Sequence, residues 1–291
     1  MRTAILLEGG LYTSRQAVSL KYLLQSITPP VLWAIGKNLK RRWFRSVDHY
    51  AYAPDGWRTR LPGDVTPEEY WAAHVRRCRV ECEGLIAHVR DGKPVMTAPG
   101  ADMRRITLGY VLALMARDHR AISILDYGGG LAEDYWIGRG LMPELTLDYH
   151  CKELPAFAEA GRALSPEVTW HTDDACLDRQ YDVVMFSSSL QYLPDWAHML
   201  RRAGGAARRH LFISNLPVVR HVTTGTATER SASVTNLHWL LNRDELVRVV
   251  DAAGFTLAQE IAMGDYPVVA AAPEQPTCVG FLFTRRSAPA V

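Results

Sequence analysis

Apolar residues recur along this chain with two periods, and the change from one to the other falls near residue 120. Before it they return every three to four positions. Val31, Leu32, Ile35 and Leu39 follow Thr28-Pro29-Pro30, and Trp71, Val75, Cys78, Cys82, Leu85 and Val89 follow Thr66-Pro67-Glu68-Glu69. Each run opens with a hydroxyl cap and proline in the first turn, so both predict helices with one core-facing side. In the second run Glu69 completes a capping box. A further helix is predicted from Asp102 to Arg117, with Ile106, Tyr110, Val111 and Leu114 turned inward. The turn-rich stretch 47–63, which carries Tyr50, Tyr52 and Trp57, predicts a loop with large side chains to bury.

After residue 120, short apolar runs alternate with helical segments. Strands are predicted at 121–126, 145–152, 168–172, 181–189, 210–215, 255–261 and 278–284, with helices between most of them. That alternation predicts an α/β fold, Rossmann-like, with a seven-stranded and mostly parallel sheet behind an N-terminal helical extension. Two parts follow: a helical segment 1–120 packing over the ligand site, and a ligand-binding domain 121–291. Asn242 caps one late helix and Gly254 closes it. The polar stretch 220–236 is long for a connection and reads as a flexible loop or an insertion near the site.

Composition narrows the function. With 48% hydrophobic residues and a net charge of +2, the chain lacks the basic excess of a nucleic-acid or membrane-surface binder. The basic group from Lys37 to Arg42 reads as a solvated helix end. Five cysteines without metal-type spacing imply a reducing cytoplasm, and no metal is expected. The N-terminal apolar run is too short for a secretory signal, and no stretch approaches a membrane span. A small-molecule partner remains; the sequence does not specify an oligomeric state.

The candidate chemistry begins at Asp126-Tyr127-Gly128-Gly129-Gly130, where an apolar strand ends in an acid and three glycines before a helix. Such a turn lets a ligand lie against bare N–H groups at a strand's carboxyl end. A dinucleotide fingerprint needs another glycine three residues on, where Glu133 stands, so a ligand without pyrophosphate is expected, and S-adenosylmethionine (SAM) fits. Glu153 after the second strand suits a ribose diol, with Asp148 as the fallback, and Asp173 or Asp174 after the third suits an adenine amino group. Taken singly, each acid has an alternative as a helix cap or a solvated carboxylate.

The segments Leu125-Asp-Tyr-Gly-Gly-Gly-Leu131, Glu153-Leu-Pro-Ala-Phe-Ala-Glu-Ala-Gly161 and Phe186-Ser-Ser-Ser-Leu-Gln-Tyr-Leu-Pro194 resemble a family assigned as SAM-dependent methyltransferases, found in bacterial glycan and nonribosomal-peptide gene clusters. The resemblance spans about residues 20 to 220 and implies a class I methyltransferase-like fold. It also implies that Asp126, Tyr127 and the glycines hold the methionine part of SAM, with Ser187 nearby, Glu153 the ribose and Asp173 the adenine. After the fifth strand the chain departs from the family, reading Ser214-Asn215-Leu216-Pro217 where an acid and arginine precede Thr-Pro, so no acceptor role is carried over to that loop.

Some relatives are azetidine-2-carboxylate synthases, which close SAM's aminobutyrate chain on itself and release methylthioadenosine. That reaction needs a neutral amine and no second-substrate pocket. Ser188, Gln191 and Asn215 would orient such an amine, and Tyr192 joins them as a catalytic candidate. Tyr127, Tyr135, Trp136, Tyr192 and Trp196 would face the sulfonium, each with a core-packing alternative. No triad, metal cluster or amine-methylation signature stands out. The expected function is therefore SAM cyclisation in natural-product biosynthesis, with methyl transfer to a hydroxyl, carboxylate or amine as the alternative and a non-catalytic scaffold as the second.

Overall fold

The structure, a computed structural model, describes residues 49–57, 67–98, 103–117, 119–230 and 235–286. The predicted helix after Thr28 and the basic group 37–42 lie outside these residues.

Among the described residues, ten strands and six α-helices follow one another. They are β1 (Tyr50–Ala53), α1 (Pro67–Arg90), α2 (Met103–Ala116), β2 (Ala121–Tyr127), α3 (Glu133–Leu141), β3 (Thr146–Lys152), α4 (Pro155–Leu164) and β4 (Thr169–His171). Then come β5 (Tyr181–Ser187), α5 (Trp196–Ala206), β6 (Ala207–Val219), β7 (Gly225–Arg230), β8 (Thr235–Asn242), α6 (Arg243–Ala252), β9 (Phe255–Gly264) and β10 (Thr277–Arg285).

Seven of the strands form the expected sheet, in the order β4-β3-β2-β5-β6-β10-β9. The first five run parallel, and β10 inserts antiparallel between β6 and β9. This order, reversing beside β2 and closing with one antiparallel strand, is the class I methyltransferase arrangement of the Rossmann-like α/β fold.

Alternation along each strand sends side chains to two cores. Ile122, Ile124, Val183, Met185 and Phe212 face α1 to α4, while Leu125, Val184, Phe186, Leu211 and Ile213 face α5 and α6. In α1, Cys82 and Leu85 are buried and Trp71, Val75, Cys78 and Val89 pack beside them, as the spacing predicts. In α2 the inward face is different: Leu108, Val111, Leu112 and Met115 are buried, whereas Ile106 and Tyr110 are exposed. Buried Arg105 lies on the same inward side and donates to the carbonyls of Val95 and Ala98.

Two stretches read as loops are strands. Gly225–Arg230 and Thr235–Asn242 pair as antiparallel β7 and β8, and Tyr50–Ala53 pairs with β7. The extended β6 carries this three-stranded addition through Val218 and Val219, opposite Leu241 and Asn242 of β8. The sheet therefore has ten strands, three more than the sequence predicts.

Candidate functional site

The glycine turn after β2 is shaped by close approach. A Cβ on Gly129 would stand 2.2 Å from Asp126 Oδ2 and 2.9 Å from Cys151 Sγ. One on Gly128, whose φ is +77°, would stand 2.4 Å from Ser189 Cβ. The turn is pinned on both sides, since Gly128 N donates to Lys152 O (2.8 Å) and Ser189 Oγ to Tyr127 O (2.5 Å). Ala132, at the start of α3, adopts φ +62°, a conformation that costs an L-residue about 1 kcal/mol or more.

Carboxylates surround this turn. Asp126 is fully buried; Tyr149 donates to its Oδ2 (2.7 Å), and its Oδ1 has no partner. Burial, followed by the charge of Asp134, raises its pKa well above the usual carboxylate range. Glu153 Oε1 accepts from Gly130 N (3.0 Å) and its Oε2 from Leu154 N (2.7 Å). Burial pushes its pKa and that of Glu133 upward. Buried Asp134 pairs with Arg104 at 3.2 Å. Above the turn lies α1, whose buried Cys82 thiol donates to Leu131 O (3.6 Å) and whose Trp71 and His74 meet Phe157 at the start of α4.

The remaining predicted residues occupy neighbouring strand ends. Asp173 is exposed and caps a short helical turn by accepting from Ala175 N. Asp174 is committed elsewhere: it accepts from Tyr127 Oη (2.6 Å) and pairs with Lys152 and Arg202, both at 3.6 Å. Tyr127 itself packs on Phe186 in the core below α5. The salt-bridged Asp174 and the core tyrosine hold the strand ends in place. The fallback Asp148 is likewise occupied, by Arg179 (2.7 Å) and His150 (3.2 Å).

Ser188 and Asn215 both adopt left-handed backbone conformations, φ +57° and +54°. Ser188 N donates to Ser214 O, and Ser214 Oγ to Ser187 Oγ, which ties the ends of β5 and β6 together. Buried Gln191 leaves its Oε1 without a partner. Of the five candidate sulfonium aromatics, Tyr135 and Trp136 belong to the first core, and Tyr127 and Trp196 pack in the second. Tyr192 stands apart from them: 38% exposed, it donates to Glu229 Oε2 at 2.8 Å.

That bond leads to residues the sequence reading missed. Tyr50 Oη donates to Glu229 Oε1 (2.8 Å), across the β1–β7 register that sets the two residues opposite each other. His238, opposite Ala227 two positions along β7, shares their face and is fully buried. Its ring meets those of Tyr50, Tyr192 and Tyr266, and its Nδ1 has no partner. Burial lowers its pKa to about 4, so it is neutral at physiological pH. The alternation in Leu237-His238-Trp239-Leu240-Leu241 after the threonine-rich Gly225–Arg230 was the available signal for a hairpin.

At the opposite ends of β2 and β5, a shallow cleft is lined by Met115, His119, Ile122, Asp182 and His210. Open α/β sheets bind ligands at carboxyl ends, so it lies on the wrong side. No group of three or more His, Cys, Asp or Glu able to hold a metal ion occurs among the described residues, and no helix there is long and apolar enough to cross a membrane.

No family model matches the chain, and no curated protein matches it. Among solved structures it is similar to magnesium protoporphyrin IX methyltransferase from Synechocystis PCC 6803 with bound SAM (14% identity, 63% of this chain and 80% of that one, TM-score 0.46). It is similar also to 1,6-didemethyltoxoflavin-N1-methyltransferase from Burkholderia thailandensis with bound 1,6-didemethyltoxoflavin and S-adenosylhomocysteine (18%, 84% and 98%, 0.48). A third is the CcbJ methyltransferase from Streptomyces caelestis (15%, 71% and 98%, 0.44). The fold assignment stands on the strand order rather than on these distant likenesses.

Proposed function

We propose that this chain is a SAM-dependent enzyme acting on a small molecule, and that it transfers the sulfonium methyl to an external acceptor. The observation that carries SAM binding is the ring of carboxylates, Asp126, Glu133, Asp134 and Glu153, around a glycine turn shaped for backbone approach. Such a turn repels a pyrophosphate and suits a ligand bearing a sulfonium and an ammonium. The residues fit the ligand in other respects. Asp126 Oδ1 is a buried acceptor with no partner, and Glu153 retains lone pairs for a ribose diol beyond the two backbone bonds it accepts. Asp173 has a free oxygen near the end of β4, suited to an adenine amino group. Packed over the turn, α1 would exclude water from the ligand.

Bound SAM supplies an electrophilic methyl on a positively charged sulfur. The case for cyclisation rested mostly on the family resemblance and partly on the lack of any second-substrate group, and Glu229 with Tyr50, Tyr192 and His238, built on an addition to the sheet, is a candidate for such a group. External transfer is therefore the reading the geometry supports best. Cyclisation stays as a second reading for one reason: Gln191 Oε1 is buried without a partner three residues after Ser188, and neutral polar groups of this kind would orient an uncharged α-amine.

Two measurements test the proposal. Calorimetric titration should show SAM binding, and its absence would leave only a scaffold. Incubation with SAM and no acceptor should leave SAM intact. Release of methylthioadenosine with a four-membered cyclic amino acid would replace transfer by cyclisation.

A further inference from the structure

We propose that the Glu229 pocket recognises an ammonium group on the acceptor substrate, which makes the acceptor a cationic amine-bearing small molecule. The inference rests on the reading above that an external acceptor exists. It concerns the group by which that molecule is held, not the atom that is methylated.

Glu229 accepts from two phenols, Tyr50 Oη and Tyr192 Oη, and pairs with no lysine or arginine among the described residues. A half-buried carboxylate without a counter-cation is costly, and two neutral donors stabilise it without cancelling its charge. Around it stand three tyrosine rings and an imidazole, with Tyr50 5.9 Å from both His238 and Tyr266 and Tyr192 6.1 Å from His238. Aromatic faces beside a carboxylate attract a cation by two additive effects, the ring quadrupole and the full negative charge. Among the described residues no cation competes for that role. His238 is neutral at physiological pH, and His74, the basic group of α1 that feels the Glu229 charge, is also held below its usual pKa by burial and Arg77.

A second observation is the unpartnered Nδ1 of fully buried His238. In the tautomer that donates Nε2–H to Tyr266 Oη, this nitrogen accepts and suits an N–H or O–H of the bound molecule.

The full-length chain should be titrated with choline chloride and with 3,3-dimethyl-1-butanol, its uncharged isostere, followed by calorimetry and by the fluorescence of Trp239 on β8, which stacks on Trp57. Choline should bind at least tenfold more tightly than the alcohol. Glu229→Gln should lose at least tenfold for choline while leaving SAM affinity within twofold. Equal binding of the two probes, or choline binding indifferent to Glu229→Gln, overturns the proposal. So does a parallel loss of SAM affinity, because the pocket would then hold SAM's own ammonium. Should Glu229→Gln fail to fold, Tyr192→Phe and the wild-type comparison of the two probes decide the matter. A chain that binds choline but not SAM keeps the pocket and loses the enzymatic reading; the reverse result keeps SAM and loses the pocket.

Discussion

Tyr192 and Glu229 come from segments 37 residues apart and meet through a 2.8 Å hydrogen bond that joins the loop after β5 to the added hairpin. The sheet's ligand-facing edge is thereby tied to the strands that distinguish this chain from a plain seven-stranded domain. A phenol donating to a carboxylate is a charge-assisted bond, but Tyr192 is 38% exposed, so its contribution is discounted to about 1 kcal/mol. In a double-mutant cycle of Tyr192→Phe and Glu229→Gln followed by urea unfolding, a coupling of about 1 kcal/mol is expected. Strictly additive effects would mean that the bond does not hold the two segments together.

Glu153 is expected to carry a large part of SAM affinity. Glu153→Ala removes a carboxylate acceptor and strands the Gly130 N–H, which should weaken binding by about 1.5–3 kcal/mol, roughly tenfold or more. Asp148→Ala is the control, since Asp148 is already occupied by Arg179 and His150 and should leave affinity unchanged. Calorimetry with both variants settles the assignment, and the opposite ranking would move the ribose site to Asp148.

What the sequence revealed, and what it concealed, follows from range. The seven strands of the main sheet were legible because each buried strand announces itself by a local apolar run, and the glycine turn by its composition. Glu229 was not legible. It sits in a polar, threonine-rich stretch that has the composition of a loop, and its meaning depends on Tyr50, 179 residues earlier, through a register no local pattern encodes. Asp174 shows the converse: an acid at a strand end looks unoccupied in the sequence, and its partners Lys152, Arg202 and Tyr127 are visible only in the fold. Ile106 and Tyr110 were placed inward by spacing alone, although the buried side carries Arg105, whose charged group finds partners in the Val95 and Ala98 carbonyls.

Gly129→Ala tests whether the turn is as tight as the distances indicate. The new methyl would meet Asp126 Oδ2 at 2.2 Å, and Asp126 is enclosed by Tyr149 and Cys151 with nowhere to move. Overpacking of this kind is expected to destabilise by about 1–3 kcal/mol and to abolish SAM binding. Gly205→Ala, where nothing lies within 4 Å, should be neutral or stabilising by up to about 1 kcal/mol, because it replaces glycine within α5. Melting temperatures of the two variants provide the comparison, and equal values would contradict the geometry of the turn.

The buried imidazole of His238 predicts how stability depends on pH. Its pKa is lowered to about 4 by burial, against about 6.5 in an unfolded chain, so between these values the unfolded state binds the extra proton and stability falls as pH falls. At 1.36 kcal/mol per unit, the part of the window between pH 7 and pH 5 corresponds to about 2 kcal/mol from this residue. Histidines 74, 150, 171 and 210 are shifted in the same direction and add to the trend, so wild-type unfolding alone does not isolate His238. Asp126 acts in the opposite sense: its raised pKa makes its burial least costly at low pH. The discriminating measurement is urea unfolding of wild type and His238→Asn at pH 7 and pH 5. The variant is expected to be less stable at pH 7, having lost the contact with Tyr266 Oη, and to lose about 2 kcal/mol less than wild type on acidification. An identical pH dependence in the two proteins would show that His238 takes up its proton as easily in the folded state as in the unfolded chain.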